Sequence, residues 1–235
     1  MNNANINPTK VTLSSILKAC SSIAAIQEGM CIHDFIIKSE LEMDVIVGGS
    51  IVNMYAKCGA LAKAKRVHDG LCVRDVVSWS ALIAGYAQQG KGREALKCYE
   101  TMQGEGLSPD AVTFICILKA CSSTGALDKG IEIHEYICRE RMWEQNTQVC
   151  NALMDMYGKF HAVLKVQEVF DQHHLRDAVT WNILISGYCQ PGHEIEALSC
   201  FEEMKTKGFS PDPITFSCAL AACANLKELR KGKRN

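Results

Sequence analysis

The string ILKACSS occupies residues 16–22 and returns unchanged at 117–123. It is one of several echoes at nearly the same separation. GMCIH (29–33) returns as GIEIH (130–134), NMYAKCG (53–59) as DMYGKFH (155–161), and WSALIAGY (79–86) as WNILISGY (181–188). REALKCYETMQGEGLSPD (93–110) returns as IEALSCFEEMKTKGFSPD (195–212), and a degraded third copy of the opening string, ALAACAN, stands at 219–225. A chain built this way folds as an array of similar pieces, because a short repeat buries its apolar face only by stacking on its neighbours.

The pieces read as helices. Trp79, Leu82, Ile83 and Tyr86 fall at i, i+3, i+4 and i+7, one face of a helix, and all four are expected in the core. Gly90 and Gly92 break that pattern, and Ala95, Leu96, Tyr99 and Met102 form a second stripe that ends at Gly104, Gly106 and Pro109. Helix, turn, helix and short loop then recur, with boundaries at 10–44, 45–75, 76–110, 111–146, 147–177 and 178–212 and a partial unit at 213–229. Residues 1–9 form an N-terminal segment and 230–235 a basic tail. The expected architecture is all-α, a right-handed α-solenoid of stacked helix-turn-helix repeats.

Composition narrows the function. The net charge of −1 argues against a binder driven by bulk electrostatics, since phosphate affinity draws on many Lys and Arg contacts. No run of eighteen apolar residues suggests a membrane span, and MNNANINPTK resembles neither a secretory signal nor a transit peptide. The thirteen cysteines include no C-x-x-C pair, so they read as reduced, buried thiols acting as small apolar side chains. Cys20, Cys121 and Cys223 hold equivalent places in three units too far apart to meet. His33 and His134 are equivalent in the same way and read as packing or helix-surface residues. No metal site and no cofactor is expected.

Two helical-hairpin families come into question. Tetratricopeptide repeats keep a 34-residue period and a W-x-x-L-G-x-x-Y opening. Here Trp79, Leu82 and Tyr86 fit, but Gly85 is displaced, and the unit lengths run 35, 31, 35, 36, 31, 35. That cycle resembles a pentatricopeptide repeat protein of the PLS subclass. VVSWSALIAGYAQQGKGREALKCYETMQGEGLSPD and AVTWNILISGYCQPGHEIEALSCFEEMKTKGFSPD resemble P motifs. VTLSSILKACSS and VTFICILKACSS resemble L-motif openings, and GGSIVNMYAKCGALAKAKRVHDGLCVRD and CNALMDMYGKFHAVLKVQEVFDQHHLRD resemble S motifs. A tetratricopeptide-like protein-interaction scaffold without base preference is the alternative.

The resemblance implies binding of single-stranded organelle RNA, one base per repeat. One reader lies in the first helix and the other is the last residue of the repeat. It assigns Ser80 with Asp110 to guanine, and Asn182 with Asp212 and Asn151 with Asp177 to uracil, giving the register G-x-U-U. Val77, Val112 and Val179 match base-wedging positions, and Lys57 and Lys159 match phosphate contacts. Gly49 leaves the unit 45–75 without a first reader, and Ser14 with Asp44 and Ile115 with Asn146 belong to poorly reading L units. Gln88 and Gln190 stand where the family has Lys. Asn and Asp at helix starts are also good caps, and the valines could equally be packing residues; recurrence at matching positions favours readout for the polar pairs. RKGKR (230–234) would add nonspecific attraction to RNA.

The resemblance also implies a role in C-to-U editing, in a mitochondrion or chloroplast, as a fragment of an editing factor. The zinc deaminase pattern H-x-E with P-C-x-x-C is missing from this sequence. The chain is therefore expected not to be an enzyme, with any deaminase carried by a partner acting in trans.

Overall fold

The computed structural model describes residues 8–39, 41, 44–142 and 146–232, the side chains of 228–232 excepted. The side chains of the basic stretch 230–234 therefore lie outside the described residues. Within them there are thirteen α-helices and no strand. They follow in pairs: α1 (Lys10–Ser22) with α2 (Ile26–Lys38), α3 (Val45–Lys57) with α4 (Leu61–Gly70), and α5 (Val76–Gln88) with α6 (Gly92–Gly104). Next come α7 (Ala111–Thr124) with α8 (Leu127–Arg139), α9 (Thr147–Lys159) with α10 (Val163–Gln172), and α11 (Ala178–Tyr188) with α12 (Glu194–Thr206). The last helix is α13 (Pro213–Gly232).

The two helices of a pair start by different means. The first is capped by a polar side chain just before it: Thr9 caps α1, Asp44 α3, Asp75 α5, Asn146 α9 and Asp177 α11. Asp110 and Asp212 do the same for α7 and α13, each accepting the backbone N–H three residues on. Such caps satisfy amides that the helix leaves without partners. The second helix has no side-chain cap and instead follows a turn residue with positive φ. Glycine takes that place at Gly59, Gly90, Gly125 and Gly192, and Ala24 and His161 take it at the cost of a strained backbone. Gly92 is not part of the break expected from sequence; it is the first residue of α6.

The chain divides into two compact units, residues 1–120 and 121–235. In the first, α1, α3 and α5 stack in series, and α2, α4 and α6 pack alongside them. Trp79, Leu82, Ile83 and Tyr86 are all buried, as their spacing requires. Gly85 permits the close approach: a Cβ there would lie 2.8 Å from Leu61 Cδ2 and 2.9 Å from Ala56 Cβ. His33 Nδ1 is hydrogen-bonded to the Tyr55 hydroxyl at 2.9 Å, tying α2 to α3. In the second unit α9, α11 and α13 stack in series with α10 and α12 alongside. There His134 Nδ1 makes the equivalent bond to Tyr157, at 2.8 Å, so the two equivalent histidines are packing residues that tie adjacent helices.

The cysteines correct one expectation. All are free, but only Cys20, Cys121, Cys150 and Cys218 are buried, while Cys31, Cys72, Cys189 and Cys223 are exposed. Cys223 departs from its equivalents Cys20 and Cys121 in being exposed. Leu220 and Phe216 on the same helix are exposed as well.

Candidate nucleic-acid interface

The second unit holds the more complete arrangement. A groove of about 410 Å³ runs between α9, α11 and the start of α13, lined by Lys159, Val179, Asn182, Asp212 and Ile214 among others. The expected phosphate contact, the expected wedge and both expected readers of the unit 178–212 therefore share one surface. Asp212 Oδ1 accepts the backbone N–H of Thr215 at 2.7 Å and stands 2.8 Å from the Thr215 hydroxyl. The N–H of Thr215, helped by that hydroxyl, holds the Asp212 carboxyl below the usual carboxylate range, so it stays ionised. The Thr215 hydroxyl also donates to Asn182 Oδ1, at 2.6 Å.

Asp177 repeats the cap but treats its reader differently. Burial pushes its carboxyl up, but the Thr180 amide and hydroxyl and the Asn151 amide outweigh it and lower the pKa. Thr180 gives its N–H and its hydroxyl to Asp177 Oδ1, both at 2.8 Å. Asn151 Nδ2 reaches the same oxygen at 3.5 Å.

In the first unit Ser80 and Asp110 are also brought together. The Ser80 hydroxyl donates to Asp110 Oδ1 at 3.1 Å and lies 2.6 Å from the Thr113 hydroxyl. Ser80 is only 6 % exposed, so the carboxylate presents more surface than the serine does. The side-chain hydrogen bonds described for the Asp110, Asp177 and Asp212 carboxyls are accepted by Oδ1. A cap that engages one carboxylate oxygen does not by itself exclude a ligand at the other.

The expected wedge residues are not packed away. Val77, Val112 and Val179 are exposed, and so are Val11, Ile46 and Ile214, which hold the same second place in their units; the six range from 52 to 74 %. Sequence reading missed the latter three, although the position repeats visibly. Val11 and Ile46 flank a second groove, about 280 Å³, that also contains Ser14 and Lys18. Ile214 stands opposite Val179 in the larger one. Within each unit, exposed branched side chains thus recur near the start of the first helices of successive pairs.

The lysines are less committed. Lys159 forms an ion pair with Asp155 at 2.7 Å, about half exposed on both sides, and would have to exchange that partner for a phosphate. Lys57 is exposed at the end of α3. Gln190 donates to the Gly187 carbonyl at 3.1 Å. Gly49 holds in the first unit the place that Asn151 holds in the second: a Cβ there would meet Asp75 Oδ1 and Val77 Cγ1, each at 3.9 Å.

Stacked helical hairpins whose first helices are capped by polar side chains define an all-α repeat protein. Residues 74–123 and 176–225 match the PPR repeat family model. Three Arabidopsis thaliana proteins are similar along nearly the whole chain. The chloroplastic pentatricopeptide repeat-containing protein CRR2 is 38 % identical over 240 residues, covering 100 % of this chain and 36 % of the relative. The chloroplastic At4g18520 is 38 % identical over 226 residues, covering 96 % and 36 %. The mitochondrial At3g02330 is 35 % identical over 245 residues, covering 96 % and 27 %. The two matched stretches are pentatricopeptide repeats, and the chain is a homologue of pentatricopeptide repeat proteins. It spans about a third of the length of these relatives, whose names place them in the organelles expected for this chain. The fold is that of the pentatricopeptide repeat protein PPR10, solved in complex with an 18-nt psaJ RNA element. The TM-score is 0.75 at 20 % identity, over 93 % of this chain and 33 % of that one.

Proposed function

We propose that the chain is a recognition module of the PLS subclass, which binds single-stranded organelle RNA with the register G-x-U-U over residues 76–212. The observation that carries the reading is the groove shared by Lys159, Val179, Asn182, Asp212 and Ile214. It combines an aliphatic slot, an amide and an ionised carboxylate, the set needed to hold one base by its face and its edge. Val179 and Ile214 embrace the ring, and Asn182 with Asp212 meets the Watson–Crick edge. The side chains do no bond-making; they position an RNA. C-to-U editing would follow in a mitochondrion or chloroplast, with the deaminase carried by a partner in trans.

The test is a titration of the chain with single-stranded RNAs carrying G-x-U-U against scrambled sequences, at two salt concentrations. An edge contact worth about 1–3 kcal/mol gives roughly 5- to 150-fold preference per position. The salt dependence is expected to be shallow, since few phosphates find a lysine. Asn182→Ser is expected to move the preference at that position from uracil toward guanine. Equal, weak binding to every RNA would overturn the reading.

A further inference from the structure

Asn182 and Asn151 are the same residue type beside the same kind of aspartate, yet their amides face opposite ways. Asn182 has its Oδ1 on the Thr215 hydroxyl, at 2.6 Å. Asn151 turns its Nδ2 to Asp177, at 3.5 Å, and its Oδ1 is buried without a hydrogen bond among the described residues. Thr180, the counterpart of Thr215, is bonded to Asp177, with no described bond to Asn151.

An asparagine amide has an acceptor on one side and two donors on the other, and only its hydrogen-bond surroundings decide which way it points. Thr215 is fully buried and has one hydroxyl proton to give. Asp212 Oδ1 already receives the Thr215 backbone N–H at 2.7 Å, whereas no other donor reaches Asn182 Oδ1 among the described residues. The shorter of the two hydroxyl contacts is the one to Asn182.

We propose that Thr215 is a positioning residue that sets the base preference of Asn182, by holding its carbonyl so that the Nδ2 donors face the groove between Val179 and Ile214. The inference rests on the reading of 178–212 as a base-reading repeat. Its consequence is chemical. Uracil offers a carbonyl acceptor, O4, where cytosine offers the N4 amino donor. A donor fixed toward that atom accepts uracil and rejects cytosine, two rings of equal size that an aliphatic slot cannot separate. At Asn151 no hydroxyl fixes the amide, so the two pyrimidines are separated less sharply there.

The experiment is anisotropy titration of the chain with RNAs varied to each of the four bases at the position of 178–212, and separately at that of 147–177. The unmodified chain is expected to favour uracil over cytosine roughly tenfold at the first position and less at the second. Thr215→Val, close in shape, is expected to bring the first ratio to within about twofold, while Thr215→Ser keeps it. Thr180→Val removes the equivalent cap hydroxyl and is expected to leave the ratio at 147–177 unchanged. Thermal melting followed by circular dichroism checks that each variant is folded. A uracil-to-cytosine ratio that survives Thr215→Val overturns the role of Thr215, and so do equal ratios at the two positions in the unmodified chain, a comparison that needs no variant. If the unmodified chain shows no base preference at either position, the base-reading proposal itself fails.

Discussion

The Trp79 indole donates to Glu105 Oε2 at 2.9 Å, whereas the indole N–H of the equivalent Trp181 is buried with no hydrogen bond among the described residues. Glu105 also accepts from Arg74, at 2.6 Å, and so joins the end of α6 to the start of α5. The residue equivalent to Glu105 in the second unit is Lys207. Arg176, equivalent to Arg74, turns instead onto the Phe170 ring at 4.1 Å and donates to the carbonyls of Phe170 and His173. Leaving a buried donor without its acceptor costs about 1–3 kcal/mol. Glu105→Ala is therefore expected to lower stability by that amount in urea unfolding, and Glu105→Gln by less, because the amide oxygen still reaches Trp79. Lys207→Glu is expected to raise stability by about 1 kcal/mol, the net value of a typical new hydrogen bond. A neutral Glu105→Ala would show that the indole bond carries none of the stability.

His68 is a second buried group left without partners. It is fully enclosed, packs edge-on against Trp79 at 4.2 Å between centroids, and neither ring nitrogen is hydrogen-bonded. Asp69, at 3.8 Å, is too far for a bond. The equivalent residue is Phe170, which packs on Trp181 in the same manner. Burial, and then the nearby Arg74 charge, hold the His68 pKa below the ordinary histidine value. The unfolded chain thus binds the proton more tightly than the native one. Stability is full above about pH 6.5 and falls as the pH drops from there toward the depressed native pKa. His68→Phe is expected to raise the melting temperature by about 2–4 °C at neutral pH, on a gain near 1 kcal/mol. It is also expected to flatten part of the loss below pH 6.5. A variant that melts no higher and keeps the full acid slope would show that the ring nitrogens cost nothing.

Both predictions depend on comparing equivalent positions, and that comparison was available before any coordinates. The period placed Trp79 beside Trp181 and His68 beside Phe170, and the 3.6-residue spacing placed their helices and core faces. The partner on the facing helix was not legible. Periodicity says which side of a helix is apolar, and nothing about which neighbour meets it. Nothing in the sequence therefore pairs Glu105 with Trp79, and Cys223 read as buried by analogy with Cys20 and Cys121. The threonine contacts were half legible. DVVSW, DAVTF, DAVTW and DPITF (75–79, 110–114, 177–181 and 212–216) share an aspartate and a hydroxyl three residues later, a capping signature. That the hydroxyl of Thr215 reaches Asn182, thirty-three residues back, depends on how α11 and α13 stack.

Gly49 offers a gain-of-function test of the whole arrangement. Its α-carbon faces Asp75 and Val77, and the 3.9 Å spacing leaves an added Cβ in ordinary contact. The equivalent residue in the second unit is Asn151, beside Asp177. Gly49→Asn would therefore supply the missing first reader next to a carboxylate that already caps α5. Gly49→Ala is the control: either replacement removes a glycine from a helix interior, and alanine there gains about 0.5–1 kcal/mol of stability. Only asparagine adds an amide. Gly49→Asn is expected to strengthen binding to U-G-x-U-U over A-G-x-U-U by roughly 5-fold or more, the lower end of an edge contact. Gly49→Ala leaves that ratio near one. The competition is read by anisotropy with both RNAs at one salt concentration. If both variants are more stable yet neither separates the two RNAs, then a helix position beside a capped aspartate is not enough to read a base.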